Sequence, residues 1–245
     1  MIIGANFLLQ RKKEMDKITV LMATIPQREK VLSKVIDSLY QQIDEIRIIF
    51  NDYIVIPDWV QKYPKIVPKL NPHDSYWANT VWKLMENLDS GYICVADDDI
   101  LYPNDYVNKM VEAIEKYNKK AIITCHGINL MIPFKTYVKS RKIYHFTHKC
   151  SQDIVVDIGG MGVSVFHVKT FSPNISQFLE KTPRDLGAAL LAAKNKIPII
   201  SIKKEKNWII PIINTGISIW KKTDKEFVDV RDKMAENLIS IFSEK

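Results

Sequence analysis

The chain has 245 residues, of which 47% are hydrophobic and 26% charged, and its formal net charge is +7. This composition predicts a soluble globular domain with a substantial core, and no apolar stretch approaches the roughly 20 residues that span a bilayer. The lysines and arginines are scattered and form no nucleic-acid-binding motif. We therefore expect a phosphate-bearing small molecule or a membrane surface as partner rather than nucleic acid.

The two ends of the chain are predicted to flank one domain that covers 1–245. Residues 1–15 are interpreted as a flexible extension. They do not resemble a secretory signal, because their basic residues follow the apolar run instead of preceding it. An amphipathic helix predicted over 223–242 has three alternatives: contact with a membrane surface, packing on the core, or packing on a second subunit in a homodimer. Three cysteines cannot all pair, which favours a cytoplasmic location, with a peripheral contact at the inner face of the plasma membrane left open.

Apolar runs and helical periodicities alternate along the chain. Strands are predicted at 17–23, 45–50, 66–70, 92–96, 120–125, from 155 into a glycine-rich turn at 159–162, and at 163–168 and 197–202. Helices are predicted at 29–42, 75–88, 105–117 (with Asn104 as cap), 182–194 and 223–242. Residues 129–155 show neither period and are interpreted as a loop or small subdomain over the site. The alternation predicts an α/β fold with a mostly parallel sheet covered on both faces.

Three adjacent carboxylates, those of Asp97, Asp98 and Asp99, end the buried strand at 92–96. Like charges this close raise each other's pKa unless a cation or donor groups lie between them. Such hard oxygen ligands suit Mg²⁺ or Mn²⁺. The cluster therefore predicts a metal–diphosphate site; the alternative is that the three acids are solvated turn and cap residues.

Polar loops follow two other predicted strands, at 24–28 and at Asn51 and Asp52. Ligands of parallel sheets bind beyond the carboxyl ends of the strands, so these loops and the acids are expected to share one crevice. Arg28 is interpreted either as a partner of a diphosphate at a helix N-terminus or as a solvated arginine. Asn51 either bonds a base or ribose or is an ordinary turn residue, and Trp77 is either a core residue or a stacking platform.

Asp185 is the sharpest single candidate for catalysis. It lies in the first turn of a predicted helix, with Thr182 as cap and Pro183 at the first helical position. The helix dipole alone favours an acid there, but a carboxylate facing the crevice can also accept a proton from a sugar hydroxyl. The late glycines, Gly160 and Gly162 among them, indicate either close backbone approach to an acceptor or a bulge.

Five motifs in chain order resemble those of a GT-A glycosyltransferase, of the family-2 type found among bacterial enzymes that assemble polysaccharides and glycolipids. The resemblance covers most of 18–208. The motifs are Thr-Ile-Pro-x-Arg at 24–28, Asp-Asp-Asp-Ile-x-Tyr-Pro-x-Asp-Tyr at 97–106, His-Gly at 126–127, Val-Asp-x-x-Gly-x-Gly-x-x-x-Phe-His at 156–167, and Asp185 followed by Lys-Ile-Pro-Ile at 196–199.

The resemblance implies the Rossmann-like GT-A fold and a metal-dependent, inverting transfer of a hexosyl group from a nucleotide sugar to a hydroxyl. The first donor to consider is a UDP-sugar. The expected cofactor is Mn²⁺ or Mg²⁺, and the expected acceptor is a glycan or a lipid-linked glycan. It also implies residue roles: Asp97 and Asp99 as metal ligands, Asp97 and Asp98 at the donor, and Asp185 as base.

By the same resemblance a further group of residues surrounds the substrates. The donor pocket is expected to contain Thr24, Ile25, Arg28, Asn51, Asp74 and Trp77. The glycine-rich turn itself, with Gly160, Met161 and Gly162, is expected on the acceptor side. Two other functions remain as alternatives, a sugar nucleotidyltransferase and a non-catalytic module that binds carbohydrate or a membrane surface.

Overall fold

The computed structural model describes residues 16–73, 76–180, 182–212 and 224–243. The expected extension at 1–15 and the candidate Asp74 lie outside the described residues, and for Trp77 only the backbone is described. Among the helices of the described ranges, none has the length and apolar character that a bilayer crossing requires.

Strands and helices alternate along most of the chain, as predicted. The strands, numbered in chain order, are β1 (Ile18–Thr24), β2 (Glu45–Asn51), β3 (Ile66–Asn71), β4 (Tyr92–Asp97), β5 (Ile100–Leu101), β6 (Ile122–Thr124), β7 (Gly127–Leu130), β8 (Arg141–Tyr144), β9 (Ile154–Val156), β10 (Ile158–Gly159), β11 (Val163–His167), β12 (Ile199–Ser201) and β13 (Ile210–Pro211). The α-helices are α1 (Glu29–Tyr40), α2 (Tyr106–Lys116), α3 (Arg184–Lys194) and α4 (Asp224–Ser243). Short 3₁₀-helices cover Pro26–Arg28, Asp58–Lys62, Trp77–Met85 and Ile175–Gln177.

One eight-stranded sheet, in the order β3-β2-β1-β4-β11-β6-β12-β9, forms the centre of the molecule. The strands from β3 to β4 are parallel to one another, and β6 is parallel to β12. Two strands run the other way: β11, between β4 and β6, and β9 at the edge. The prediction of a mostly parallel sheet is therefore confirmed.

Both faces of this sheet are buried, which explains why the central strands are apolar without alternation. Successive residues of β1 face opposite sides, so Val20 and Met22 join one core cluster and Leu21 joins the other. Helices α1 and α2 cover the first face, and α3, α4 and the 3₁₀-helix Trp77–Met85 cover the second. Ala235 and Leu238 of α4 are fully buried there, so the terminal helix packs on the core.

Three predicted helix boundaries or types differ from the structure. The helix expected at 75–88 is the 3₁₀-helix Trp77–Met85. Helix α2 has Asp105 rather than Asn104 at its N-cap, and α3 has Pro183 rather than Thr182, in both cases without a side-chain cap bond. The Thr182 hydroxyl donates instead to the Leu179 carbonyl at 2.8 Å.

Residues 129–155, which carried no clear sequence signal, contain part of a second, three-stranded sheet in the order β10-β7-β8. Strands β7 and β8 form an antiparallel hairpin, and β7 also pairs with β10 through Gly127 and Gly159. The strand predicted from 155 is split, because β9 joins the central sheet while β10 joins this smaller one. The smaller sheet thus connects directly to the turn at 160–162.

Candidate functional site

Three chain segments meet at one edge of the central sheet. Thr24 ends β1, Asp97 ends the neighbouring β4, and Ala23 pairs with Asp97 in register. Strand β11 runs antiparallel to β4, so its beginning, Val163, lies opposite Ala96 at the same edge. The carboxyl ends of the parallel strands and the turn before β11 therefore lie at one edge of the sheet, where the sequence predicts a crevice.

Each acid of the cluster is held by a different group. The Thr24 hydroxyl donates to Asp98 Oδ2 at 2.8 Å, and the Arg28 guanidinium donates to Asp99 Oδ2 at 2.6 Å. The third acid, Asp97, accepts a hydrogen bond on Oδ1 from Nη2 of Arg184 at 2.8 Å. The acids are therefore not simple solvated turn residues, since all three are tied to buried or half-buried partners.

Burial shifts the protonation of the cluster. It raises the pKa of Asp98 to about 7, against the opposing effects of the Thr24 hydrogen bond and the Arg28 charge. Burial also raises the pKa of Asp99, and the negative charge of Asp97 adds to that increase. A cation placed among these carboxylates would lower both pKa values, because it favours the charged forms.

The candidate base lies next to the cluster at the start of α3. The backbone N–H of Met161 donates to Asp185 Oδ1 at 3.0 Å, and the same oxygen lies 3.6 Å from Nε of Arg184. Burial raises the pKa of Asp185, while Arg184 and the Met161 N–H act against that increase. The side chain is still 42% exposed, so the carboxylate is open to a ligand.

Arg184 connects the two parts of the site. Its guanidinium is 11% exposed and contacts both Asp97 and Asp185. Burial by itself would lower the pKa of Arg184, but the two carboxylates outweigh burial and hold the pKa above its ordinary value. The arginine is therefore a fixed positive charge between the acidic cluster and the candidate base.

The turn at 160–162 is built around Asp97. A Cβ atom on Gly162 would lie 1.9 Å from Asp97 Oδ2, so only glycine leaves room for that carboxylate. The Tyr102 hydroxyl donates to the Gly162 carbonyl at 2.6 Å and accepts from the Asp97 N–H at 2.8 Å. Gly160, Met161 and Gly162 are all buried; Gly162 lies against Asp97 and Met161 contacts Asp185, whereas Gly160 lies against His126.

The expected donor residues divide into two groups. Thr24 and Arg28 contact the acids directly, and the Ile25 carbonyl accepts a hydrogen bond from the Tyr53 hydroxyl at 3.3 Å. Asn51 is buried, and its amide is bonded to Thr80 and to Asn71, each at 2.8 Å. This geometry favours the structural alternative for Asn51.

A divalent ion fits the chemistry of the acids. Within the described ranges no three His, Cys, Asp or Glu side chains are grouped so as to hold a metal ion by themselves. Mg²⁺, however, is commonly bound by one or two carboxylates together with water and substrate phosphates. Asp97 and Asp99 are 36% and 31% exposed, and each carboxylate has lone pairs beyond the one that its arginine engages.

Two residues of the site were missed by the sequence analysis. Arg184 was overlooked although it directly precedes Asp185, because nothing in a single sequence shows that it contacts an acid 87 positions away. Tyr102 was part of the acidic motif, but its type is also typical of a core residue, and it is only 3% exposed. Adjacency to a candidate base was the one available signal for Arg184.

The sheet order, the acids at its carboxyl edge and the facing Asp185 are consistent with the GT-A type of glycosyltransferase. The sequence profile described as glycosyl transferase family 2 matches residues 19–172, and the chain belongs to that family. The predicted family, fold class and enzyme class are thereby confirmed. The matched region contains the acidic cluster and the turn at 160–162, and it ends before Asp185.

Among solved structures, residues 1–349 of S. aureus TarS are similar to this chain with a TM-score of 0.48 and 13% sequence identity. The similarity covers 78% of this chain and 59% of that one. No curated protein sequence matches the chain.

Proposed function

We propose that the chain is a metal-dependent, inverting glycosyltransferase of the hexosyltransferase type. It transfers a sugar from a nucleotide-sugar donor, with UDP-sugars the first to test, to a hydroxyl of a glycan or lipid-linked acceptor. The observation that carries the proposal is the contact of one guanidinium, that of Arg184, with both Asp97 and Asp185. Through this contact, the acids that can bind a metal and the departing diphosphate lie next to a carboxylate that can accept the proton of an attacking hydroxyl.

On the donor side, the side chains provide charge and orientation. Arg28 is buried at the end of a short helix and is held by Asp99, which fixes its positive charge beside the acids, where it can attract a phosphate. When bound at Asp97 and Asp99, a divalent ion supplies positive charge for the leaving diphosphate. Asp98 is fixed by Thr24 and contacts the donor.

On the acceptor side, Asp185 acts as general base. Its carboxylate is oriented by the Met161 N–H, and its raised pKa brings it closer to neutral pH, where proton transfer from a hydroxyl is favourable. In a single displacement, the hydroxyl oxygen forms the new bond to the anomeric carbon while Asp185 accepts the proton. The bond to the diphosphate breaks on the opposite side, which inverts the configuration.

We expect Asp185→Asn to lower turnover by about 10²–10⁴-fold, because general-base action is worth about that factor. The amide oxygen of asparagine can still accept from the Met161 N–H, so donor binding should stay within about twofold of wild type. Turnover is measured as donor hydrolysis across a panel of nucleotide sugars with Mn²⁺, followed by transfer to candidate acceptors. Wild-type turnover in the variant would remove Asp185 from the mechanism.

We expect Asp99→Ala to abolish Mn²⁺-dependent binding of the nucleoside diphosphate, since it removes a ligand oxygen and the partner of Arg28. Isothermal titration calorimetry with and without Mn²⁺ measures this. The control is Asp89→Ala, which removes an exposed acid from the loop before β4. Equal affinity with and without Mn²⁺ in the wild-type protein would refute the metal dependence, whatever the variants do.

The cellular location follows from the proposed acceptor. A lipid-linked acceptor and a nucleotide sugar meet at the inner face of the plasma membrane, so we propose a cytoplasmic enzyme that works there peripherally. The membership of family 2 favours this function over a sugar nucleotidyltransferase and over a non-catalytic binding module.

A further inference from the structure

One surface of the molecule has a composition unlike the rest. The basic hairpin consists of β7, the loop 131–140 and β8, and it lies in a stretch without any acidic residue between Glu115 and Asp153. Its lysines and arginines are Lys135, Lys139, Arg141 and Lys142. A charge of one sign over so long a stretch favours an anionic partner.

The same hairpin exposes large apolar side chains. Ile132 is 72% exposed, Val138 53%, and Met131 and Ile143 44% each. Single exposed apolar residues are ordinary on protein surfaces, but four within one hairpin, mixed with lysines, are typical of a surface that inserts into a lipid headgroup region.

This exposure belongs to an ordered loop. The Met131 N–H donates to the Ser140 carbonyl at 2.9 Å, and the Lys135 N–H donates to the Ser140 hydroxyl at 2.8 Å. The Tyr137 N–H donates to Asp232 of α4 at 2.6 Å, which fixes the loop to the body of the protein. The apolar side chains are therefore held outward by the fold.

Few acids balance the lysines. Asp232 and Asp157 accept backbone N–H groups of the hairpin rather than ammonium groups. In the part of the chain that the structure describes, neither Lys135 nor Lys139 forms an ion pair with a carboxylate, and both are exposed. Lys142 lies 5.2 Å from the centre of the Tyr144 ring. The charges of Lys135 and Lys139 are thus available to an outside partner.

We propose that the basic hairpin docks on an anionic lipid surface, with its lysines at the headgroups and its apolar side chains between them. A second copy of the chain is a poorer occupant, because two such hairpins would repel each other. A soluble polyanion would be attracted by the lysines but has no need of the exposed isoleucine and valine.

The hairpin also lies beside the catalytic site. Strand β7 pairs with β10, and β10 leads directly into the turn at 160–162 that contacts Asp97 and Asp185. A membrane bound at the hairpin would therefore be close to the acceptor side. This placement of the acceptor rests on the proposed function, whereas the docking itself does not.

The test is sedimentation of the full chain with vesicles of phosphatidylcholine alone, or with about 30% phosphatidylglycerol, at about 0.15 M salt. We expect binding only to the anionic vesicles. Lys135→Glu with Lys139→Glu should weaken it at least about 25-fold, since each lysine near such a surface contributes about fivefold. Ile132→Ser with Val138→Ser should weaken it about tenfold or more, because both apolar contacts are lost.

The matched control is Lys34→Glu with Lys62→Glu, which changes the net charge equally but lies on α1 and before the edge strand β3. It should bind within about twofold of wild type. The proposal is overturned if anionic vesicles are not bound, if the control weakens binding as much as the hairpin variants, or if the serine variant binds normally, which would show that charge alone is recognised and that the apolar side chains do not insert. Donor hydrolysis without vesicles should be unchanged in the hairpin variants, and so reports on the proposed function separately.

Discussion

Gly162→Ala tests the geometry of the site with a single methyl group. A Cβ atom at this position would lie 1.9 Å from Asp97 Oδ2, so the carboxylate must retreat by about 1.5 Å to restore a 3.4 Å contact. Gly162 does not have a positive φ, which means that alanine is compatible with its backbone. The collision with Asp97 is therefore the main consequence of the substitution.

Two opposing contributions set the effect on stability. A hydrogen bond between charged groups, such as that of Asp97 with Arg184, contributes about 1.5–3 kcal/mol, and the partial exposure of Asp97 favours the lower end. Replacing glycine by alanine restricts the unfolded chain and stabilises by about 0.4–1 kcal/mol. The net loss is about 1 kcal/mol, which lowers the melting temperature by about 2–4 °C in a protein of this size. Turnover should fall much further, about 10²-fold, because the carboxylate is displaced by more than 1 Å.

A double-mutant cycle with Asp97→Ala separates this explanation from general damage to the turn. Without the carboxylate, alanine at 162 has nothing to displace, so the substitution should stabilise the Asp97→Ala protein while it destabilises the wild type. Calorimetric unfolding and donor hydrolysis measure the two effects. The reasoning is wrong if Gly162→Ala retains wild-type turnover, or if it destabilises both backgrounds equally.

Two further predictions concern a buried histidine and the cysteines. Burial, together with the charges of His145, Lys204 and Arg141, lowers the pKa of His126 to about 4. The contribution of His126 to the free energy of unfolding is complete above the unfolded pKa of about 6.5. It is lost as the pH falls towards 4, by up to about 1.4 kcal/mol per pH unit. Urea unfolding should therefore depend less steeply on pH in His126→Gln than in the wild type, whereas the exposed control His148→Gln should behave as the wild type does. All three cysteines are buried, and burial raises the pKa of Cys94 to about 12. Ellman's reagent should therefore label the thiols only after denaturation. Rapid labelling of the folded protein would contradict the fold.

The position of the acidic cluster could be predicted because two independent patterns indicated it. A continuous apolar run marked β4 as a strand buried on both faces, and the abrupt change to 97–99 marked its carboxyl end. The general rule for parallel sheets then placed the loop at 24–28 in the same crevice. The hydrogen bonds of Thr24 and Arg28 to the acids agree with that prediction.

Other features depend on contacts that no local pattern encodes. The pairing of Arg184 with Asp97 joins distant parts of the chain. The 3₁₀-helix Trp77–Met85 is too short for its apolar spacing to be distinguished from that of an α-helix. Strands β7 and β8 were missed because their hairpin exposes apolar residues, so the alternation that usually marks a strand is absent.

The reversed direction of β11 has a consequence for where the chain tolerates changes in length. Because this strand starts at the edge that carries the acidic cluster, an insertion before it would push Gly162 away from Asp97 and separate the proposed donor and acceptor surfaces. Its other end, at His167, pairs with Tyr92 on the far edge of the sheet. The residues that follow first pack into the core, since Val168 and Phe171 are buried, so natural variation in loop length is expected at the exposed positions beyond Phe171 rather than at 160–162.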